Sequence, residues 1–262
     1  MRAETSSGRY FRRVATLRPF PLPGGDRAAR EPRRAALGLL HAALPGEAAV
    51  RARAAAWFTD GELRPLVGML ASRGLAPLTS SVGRLFDAVA ALAGVRLRAS
   101  YEGQAAMELE AAAADVDPGS EPPYPLPFAT TAQGPALLDT APLVRALLDD
   151  LDGGAPPAVV SARFHEALAR AAVLVAERAA VRRVVLSGGC FQNRRLAARA
   201  RALLEASGRE VHAPLHFPPN DGALCLGQAL VAARRWRERR HERKEPDDVS
   251  RSPGPRPLDR GA

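Results

Sequence analysis

The sequence predicts an α/β fold, and three observations carry that expectation. A helical pattern from Val159 to Ala180 leads directly into the β-branched run Arg183-Val184-Val185-Leu186. Gly188-Gly189 turns that strand into a second helix, Arg194 to Ala206. After Gly208 comes another short strand, Glu210-Val211-His212, and then a closing helix from Ala223 to Arg234. With 262 residues, 47% of them hydrophobic, the chain has the apolar content to bury a core of this kind.

Earlier elements follow in order. Arg9 to Leu17 alternates bulky and charged residues as a strand does, and Pro19 to Gly25 breaks it, so the chain starts mid-sheet. Pro32 opens a helix through Leu37, Leu40 and Leu44 that Pro45-Gly46 closes, and Leu63 to Arg73 resumes helical spacing. Leu85, Phe86, Val89, Ala90 and Leu92 mark the apolar face of a third helix, with Thr79, Ser80 and Ser81 as capping candidates. A fourth helix spans Tyr101 to Ala114. Asp115 to Pro135 reads as a loop with at most a short strand near Leu126 to Phe128, and Leu143 to Leu151 as a helix. The 183–186 run is expected to be a buried strand. Beyond Trp236 the chain is charged and then rich in Pro and Gly, as in a disordered tail.

Composition narrows the function classes. The net charge is +9 and the pI near 10.9. Ten Lys/Arg against six Asp/Glu between Arg234 and Arg260 supply much of that excess, and Lys244 is the sole lysine, so arginine bias explains the charge better than a phosphate-binding face does. No nucleic-acid partner is expected. No apolar run approaches the roughly 20 residues of a membrane helix and no signal peptide opens the chain, so no membrane partner is expected and the cytoplasm is the default location. Cys190 and Cys225 match neither a zinc nor a disulfide pattern and read as reduced, buried thiols. Without a GxxxxGK[ST] sequence, P-loop chemistry is excluded.

Several segments could carry chemistry. Gly188-Gly189 at a strand-to-helix junction can admit a nucleotide against the main chain, and Asn193 adds an amide that donates and accepts; a ligand-free tight turn is the alternative. Asp221, behind Pro218-Pro219-Asn220, offers a hard ligand for a divalent cation, or simply caps the last helix. Gly83 and Asp87 lie one turn apart and suit a ribose, against the alternative of an N-capped amphipathic helix with an exposed Asp. His212 and His216 have metal-like spacing, but Pro214 between them forbids a regular helix. For His41, His165 and His241, core packing or exposure is the expectation. Ser187 and Cys190 lack a GxSxG elbow or a base placed by sequence, so no catalytic residue is assigned.

Together these segments resemble the carboxy-terminal portion of the HypF-type hydrogenase-maturation carbamoyltransferases. The resemblance runs from about Tyr10 to Ala233, through Leu17 to Asp26, Thr79 to Asp87, Tyr101 to Glu110, Leu186 to Asn193 and Pro218 to Gly227. It implies an actin-like lobe (ASKHA, RNase H-like) with added helices, truncated on its N-terminal side, over residues 1–240, with 241–262 as a disordered charged tail. The activity it implies is transfer of a carbamoyl group from carbamoyl adenylate to the C-terminal cysteine of a HypE-type acceptor protein.

By the same resemblance, Gly188, Gly189 and Asn193 form the adenosine turn, Gly83 and Asp87 the ribose side, and Asp221 a metal ligand. The implied cofactors are ATP or carbamoyl adenylate and a divalent metal ion. The family's acylphosphatase-like domain, cysteine zinc fingers, adenylate-forming domain and metal-binding histidine pair have no counterpart here, which implies a fragment that works with a separate N-terminal half. A relative of the tRNA threonylcarbamoyl transferases, or a catalytically dead remnant serving as a binding module, stays open.

Overall fold

The computed structural model describes residues 2–6, 11–72, 74–129 and 134–242. It divides into two compact units, Met1–Asn220 and Asp221–Ala262.

In the first unit β1 (Arg2–Ser6) and β2 (Phe11–Leu17) pair antiparallel, with Arg2 opposite Thr16 and Ser6 opposite Phe11. β2 ends in Ala15, Thr16 and Leu17, all buried. The two-residue strand β3 (Phe20–Pro21) then delivers a fully buried Phe20, and a short 3-10 turn at Gly25–Ala29 leads to α1 (Pro32–Ala43). Proline at the first helical turn costs nothing, since that N–H has no intrahelical partner anyway. α2 (Glu47–Ala54) and α3 (Asp60–Ala71) follow, the latter begun by a capping box in which Thr59 and Glu62 satisfy each other's backbone N–H. β4 (Leu78–Thr79) pairs antiparallel with β3, and Ser81 caps α4 (Val82–Leu92) by accepting from the Arg84 N–H.

α5 (Gln104–Ala112) precedes a proline-rich stretch that ends in β5 (Phe128–Ala129) and β6 (Ala136–Leu138). β6 pairs parallel with β2 and antiparallel with β5, giving the strand order β1-β2-β6-β5. Asp139 caps α6 (Thr140–Asp152), and α7 (Pro157–Arg178) crosses the core with Phe164, Leu168 and Ala169 fully buried. β7 (Arg183–Val185), a 3-10 turn (Gly189–Gln192), α8 (Arg194–Ala206) and β8 (Glu210–His212) complete the unit, with β7 and β8 parallel. α1 packs on α4, α7 on α8, and α5 against both α4 and α7, so one apolar core runs through the helices.

The second unit begins with a 3-10 turn at Asp221–Ala223 and continues as α9 (Leu224–Glu242), where Arg234 pairs with Glu238 and the Arg240 guanidinium lies 4.7 Å from the Trp236 ring centre. No helix among the described residues is long and apolar enough to cross a membrane.

Several expectations change. The 183–186 strand is not buried: Arg183 is exposed, Val185 is 66% exposed, Val184 packs on the core half-buried, and only Leu186 is fully buried. A two-stranded parallel sheet with α8 against it covers one face, whereas larger parallel sheets are sandwiched on both. The last helix passes Arg234 to reach Glu242, because Arg and Glu are good helix formers and no Gly or Pro interrupts them. Neither thiol is fully buried: Cys190 is half-buried and Cys225 exposed. The expected strand near Leu126 sits at Phe128–Ala129. Residues 9 and 10 of the first expected strand and the tail from 243 lie outside the described residues.

Candidate functional site

Leu186, buried at the end of β7, anchors a turn whose geometry needs glycine. Gly188 sits at φ 105°, ψ 156°, which side chains on L-residues rarely allow, and beyond its chain neighbours no atom of the described residues lies within 4 Å of where its Cβ would be. Its N–H donates to the Pro219 carbonyl at 2.6 Å, and the Ser187 hydroxyl donates to the same oxygen at 3.4 Å. A Cβ on Gly189 would stand 3.9 Å from that of Asn220. The segment from Leu186 to Asn193 and the residues Pro219 and Asn220 therefore converge, as the motif reading requires. Asp221 opens the second unit and is exposed.

Asn193 is buried, and the fold uses its side chain twice. Oδ1 accepts from the Leu196 N–H at 2.8 Å and caps α8, while Nδ2 lies 2.9 Å from His165 Nε2. His165 Nδ1 lies 2.8 Å from the Ser161 carbonyl, and Phe86 and Phe164 meet the imidazole edge-on at 5.3 and 5.9 Å. Burial holds the His165 pKa down at about 4, against a smaller upward effect of the Ser161 hydrogen bond. Glu166, also buried, binds Arg199 of α8 through both oxygens and Arg170 through one, so α7 grips α8 by two adjacent residues.

α4, the helix that bears Gly83 and Asp87, packs against the Gly189–Gln192 turn. Around the missing Gly83 side chain, among the described residues, only the Ser81 hydroxyl comes near, at 3.5 Å. Asp87 is 3% exposed, which overturns the reading of an exposed Asp on an amphipathic helix. Burial raises its pKa to about 6; Arg84 opposes the rise and Glu102 adds to it. Arg84 Nη1 stands 3.0 Å from Asp87 Oδ2, but not in hydrogen-bond alignment, so that oxygen has no hydrogen-bond partner among the described residues. A buried carboxylate with an unmet acceptor beside an open glycine face is suited to a ligand's hydroxyl donors.

The remaining candidates fare differently. His212 contacts Glu210 at 2.9 Å on β8, and His216 is exposed in the loop after it. Burial pushes the Cys190 thiol pKa up, away from nucleophilic use. Among the described residues no group of three or more His, Cys, Asp and Glu side chains could surround a cation, so they give Asp221 no company of that kind. A cleft of about 390 Å3 lies elsewhere, lined by Arg33, Trp57 and Gly94 to Arg98. Its arginines are paired with Glu31, Glu62 and Glu108, as in a structural seam. Sequence reasoning gave His165 only core packing or exposure and passed over Arg84; the Ser161–His165 spacing of four, one helical turn, was the available signal for the histidine.

Residues 5–228 match the family model described as "Carbamoyltransferase, Kae1-like Domain, second subdomain". The chain belongs to the HypF carbamoyltransferase family. It is 45% identical over 229 residues to the carbamoyltransferase HypF of Rhodobacter capsulatus, covering 85% of this chain and 28% of that protein. With a HypF homolog from Cupriavidus necator it shares 40% identity over 228 residues, 85% of this chain and 57% of the relative. A full-length HypF crystallised in its phosphate- and nucleotide-bound form superposes with a TM-score of 0.76 at 34% identity, over 86% of this chain and 29% of that one. The α/β architecture is thus that of the actin-like HypF lobe, and the chain spans under a third of the length of full-length HypF relatives.

Proposed function

We propose that this chain supplies one side of a HypF-type carbamoyl-transfer site, in which residues 1–240 act as the lobe and 241–262 as a tail. The observation that carries the reading is the meeting of the Gly188–Asn193 turn with the α4 helix that bears Gly83 and a buried, incompletely partnered Asp87. Adenosine would lie on the bare backbone of Gly188 and Gly189, held at Asn193, with ribose hydroxyls donating to Asp87. The nucleotide-bound state of the superposing HypF supports a nucleotide as ligand.

The reaction proposed is attack by the C-terminal cysteine thiolate of a HypE-type acceptor on the carbamoyl carbon of carbamoyl adenylate. A C–S bond forms, the C–O bond to the phosphate breaks, and AMP leaves with the electron pair. Charge building on the carbamoyl oxygen would be met by fixed donors in the assembled site. Asp221 would hold a divalent cation in company with ligands from beyond the described residues. The product's place is in [NiFe] hydrogenase maturation, with the cytoplasm as its compartment. The site needs the portion of HypF that this chain does not span, whether on the same polypeptide or another.

Calorimetric titration with ATP and magnesium tests this, on the chain alone and on the chain mixed with the complementary HypF portion. Binding in the mixture, followed by carbamoylation of a HypE C-terminal cysteine, is the expected result. Silence in both titrations would leave a remnant with no nucleotide site.

A further inference from the structure

The buried polar groups behind the glycine turn form one directional chain, and its direction is forced. The Ser161 carbonyl, 2.8 Å from His165 Nδ1, can only accept, and the Ser161 hydroxyl, 3.2 Å from the same nitrogen, spends its hydrogen on the Leu109 carbonyl, so Nδ1 must carry the imidazole hydrogen. His165 Nε2 is then a bare acceptor, and the Asn193 atom 2.9 Å from it must be the amide nitrogen. That leaves Oδ1 facing the Leu196 N–H, which is the only way this side chain can cap α8. Flipping the amide would set two donors against each other at one end and two acceptors at the other. The chain extends inward, because the Ser161 hydroxyl donates to the Leu109 carbonyl and so ties α7 to α5. Phe86 of α4 and Phe164 pack edge-on against the buried imidazole.

We propose that His165 is a positioning residue for the glycine-turn site, its bare Nε2 taking one Asn193 hydrogen and thereby fixing the amide in the orientation that caps α8 and leaves the second hydrogen for a ligand acceptor. An amide nitrogen carries two hydrogens, and the second has no protein acceptor among the described residues. His165 never touches the ligand. Its effect passes through Asn193 to the turn, while the neighbouring Glu166–Arg199 pair holds the body of α8 independently. The ligand half of this inference rests on the nucleotide reading above.

Imidazole 15N NMR on the full chain tests the core of the proposal without a variant. The expected spectrum has Nδ1 protonated, Nε2 unprotonated and a coupling from Nε2 to the Asn193 amide; an Nε2-protonated tautomer would overturn it. In His165→Phe, exchange of the Leu196 amide hydrogen should quicken about tenfold, and His165→Gln, whose Oε1 can accept from Asn193, should restore most of the protection. Equal exchange in the two variants would overturn the proposal even if both fold less stably. Titration with ATP in the presence of the complementary HypF portion then separates the two readings. If the unsubstituted chain binds and His165→Phe binds equally well, the positioning role fails. If the unsubstituted chain does not bind, the nucleotide reading fails and His165 is judged on the NMR and exchange results alone.

Discussion

The Gly188 N–H donates to the Pro219 carbonyl at 2.6 Å, tying the end of β7 to the loop that follows β8. The turn depends on backbone geometry, since among the described residues no atom beyond its chain neighbours crowds the position of a Gly188 Cβ. Gly188→Ala should therefore cost about 1 to 3 kcal/mol through φ/ψ strain alone. Urea unfolding measures it, and an unmoved midpoint would show that the turn relaxes at no expense.

Asn193→Ala removes the α8 cap and strands the His165 acceptor. A lost cap is worth about 1 kcal/mol and an unsatisfied buried group about 1 to 3 kcal/mol. Asn193→Asp should keep the cap but lose the donor to His165, so it should fall between alanine and asparagine in chemical denaturation at neutral pH. Nucleotide binding by the assembled site should weaken in Asn193→Ala by about 1 to 3 kcal/mol. A dissociation constant indistinguishable from that of the unsubstituted protein would remove Asn193 from the site.

Much of this site was legible before any coordinates, and the reasons are local. Gly188-Gly189 after a β-branched run, and a helix opened by Asn193 and closed by Gly208, are signals that neighbouring residues carry by themselves. α2 was missed because Glu47–Ala54 is short, rich in alanine and arginine, and has no sharp apolar face. β6 was missed because Ala136–Leu138 follows a stretch full of Pro and Gly, and its strand character comes from distant β2. Helical spacing placed Gly83 and Asp87 on one helix, but could not say that other elements would enclose Asp87. For His165 the sequence left core packing and exposure both open; its burial against Asn193, 28 residues away, depends on how α7 and α8 meet.

Gly38 offers a test of the core that feeds the site. A Cβ there would stand 1.8 Å from the Pro21 carbonyl oxygen, where α1 runs against the β3 backbone. Neither neighbour is a flexible side-chain end, so Gly38→Ala must push helix and strand apart. A loss of about 1 to 3 kcal/mol or more is expected from overpacking of this kind. Thermal unfolding of Gly38→Ala beside Gly68→Ala, where a Cβ meets nothing within 4 Å, checks it; equal behaviour of the two would refute the close approach.

The acid limb of the stability curve should carry the signature of His165. Its pKa is about 4 in the folded chain against 6.5 for the free side chain, so the unfolded state binds more protons between those values. Stability contributed by the neutral imidazole is complete above about pH 6.5 and is lost as the pH falls toward 4, by about 3 kcal/mol at most. Urea midpoints measured from pH 7 to pH 4 should fall for the native sequence and fall less for His165→Gln. Parallel curves would mean that the imidazole is protonated at no penalty.

Asp87 should act in the opposite sense over nearly the same range. Its pKa rises from 3.8 to about 6 on folding, so the folded state binds more protons between those values. The stability this gives is complete below pH 3.8 and is lost as the pH climbs through 6, which leaves a charged, incompletely partnered carboxylate in the core at neutral pH. Asp87→Asn removes that ionisation and should stabilise the chain at pH 7.5 by about 1 to 3 kcal/mol, less whatever the Arg84 contact contributes. The same substitution replaces an acceptor-only group with an amide, so nucleotide affinity in the assembled site should drop by about 1 to 3 kcal/mol while stability rises. Such a trade of binding against stability is what a ligand-facing carboxylate predicts. If Asp87→Asn instead loses stability and leaves affinity untouched, Asp87 serves the α4 packing alone and the ribose side of the site must be sought elsewhere.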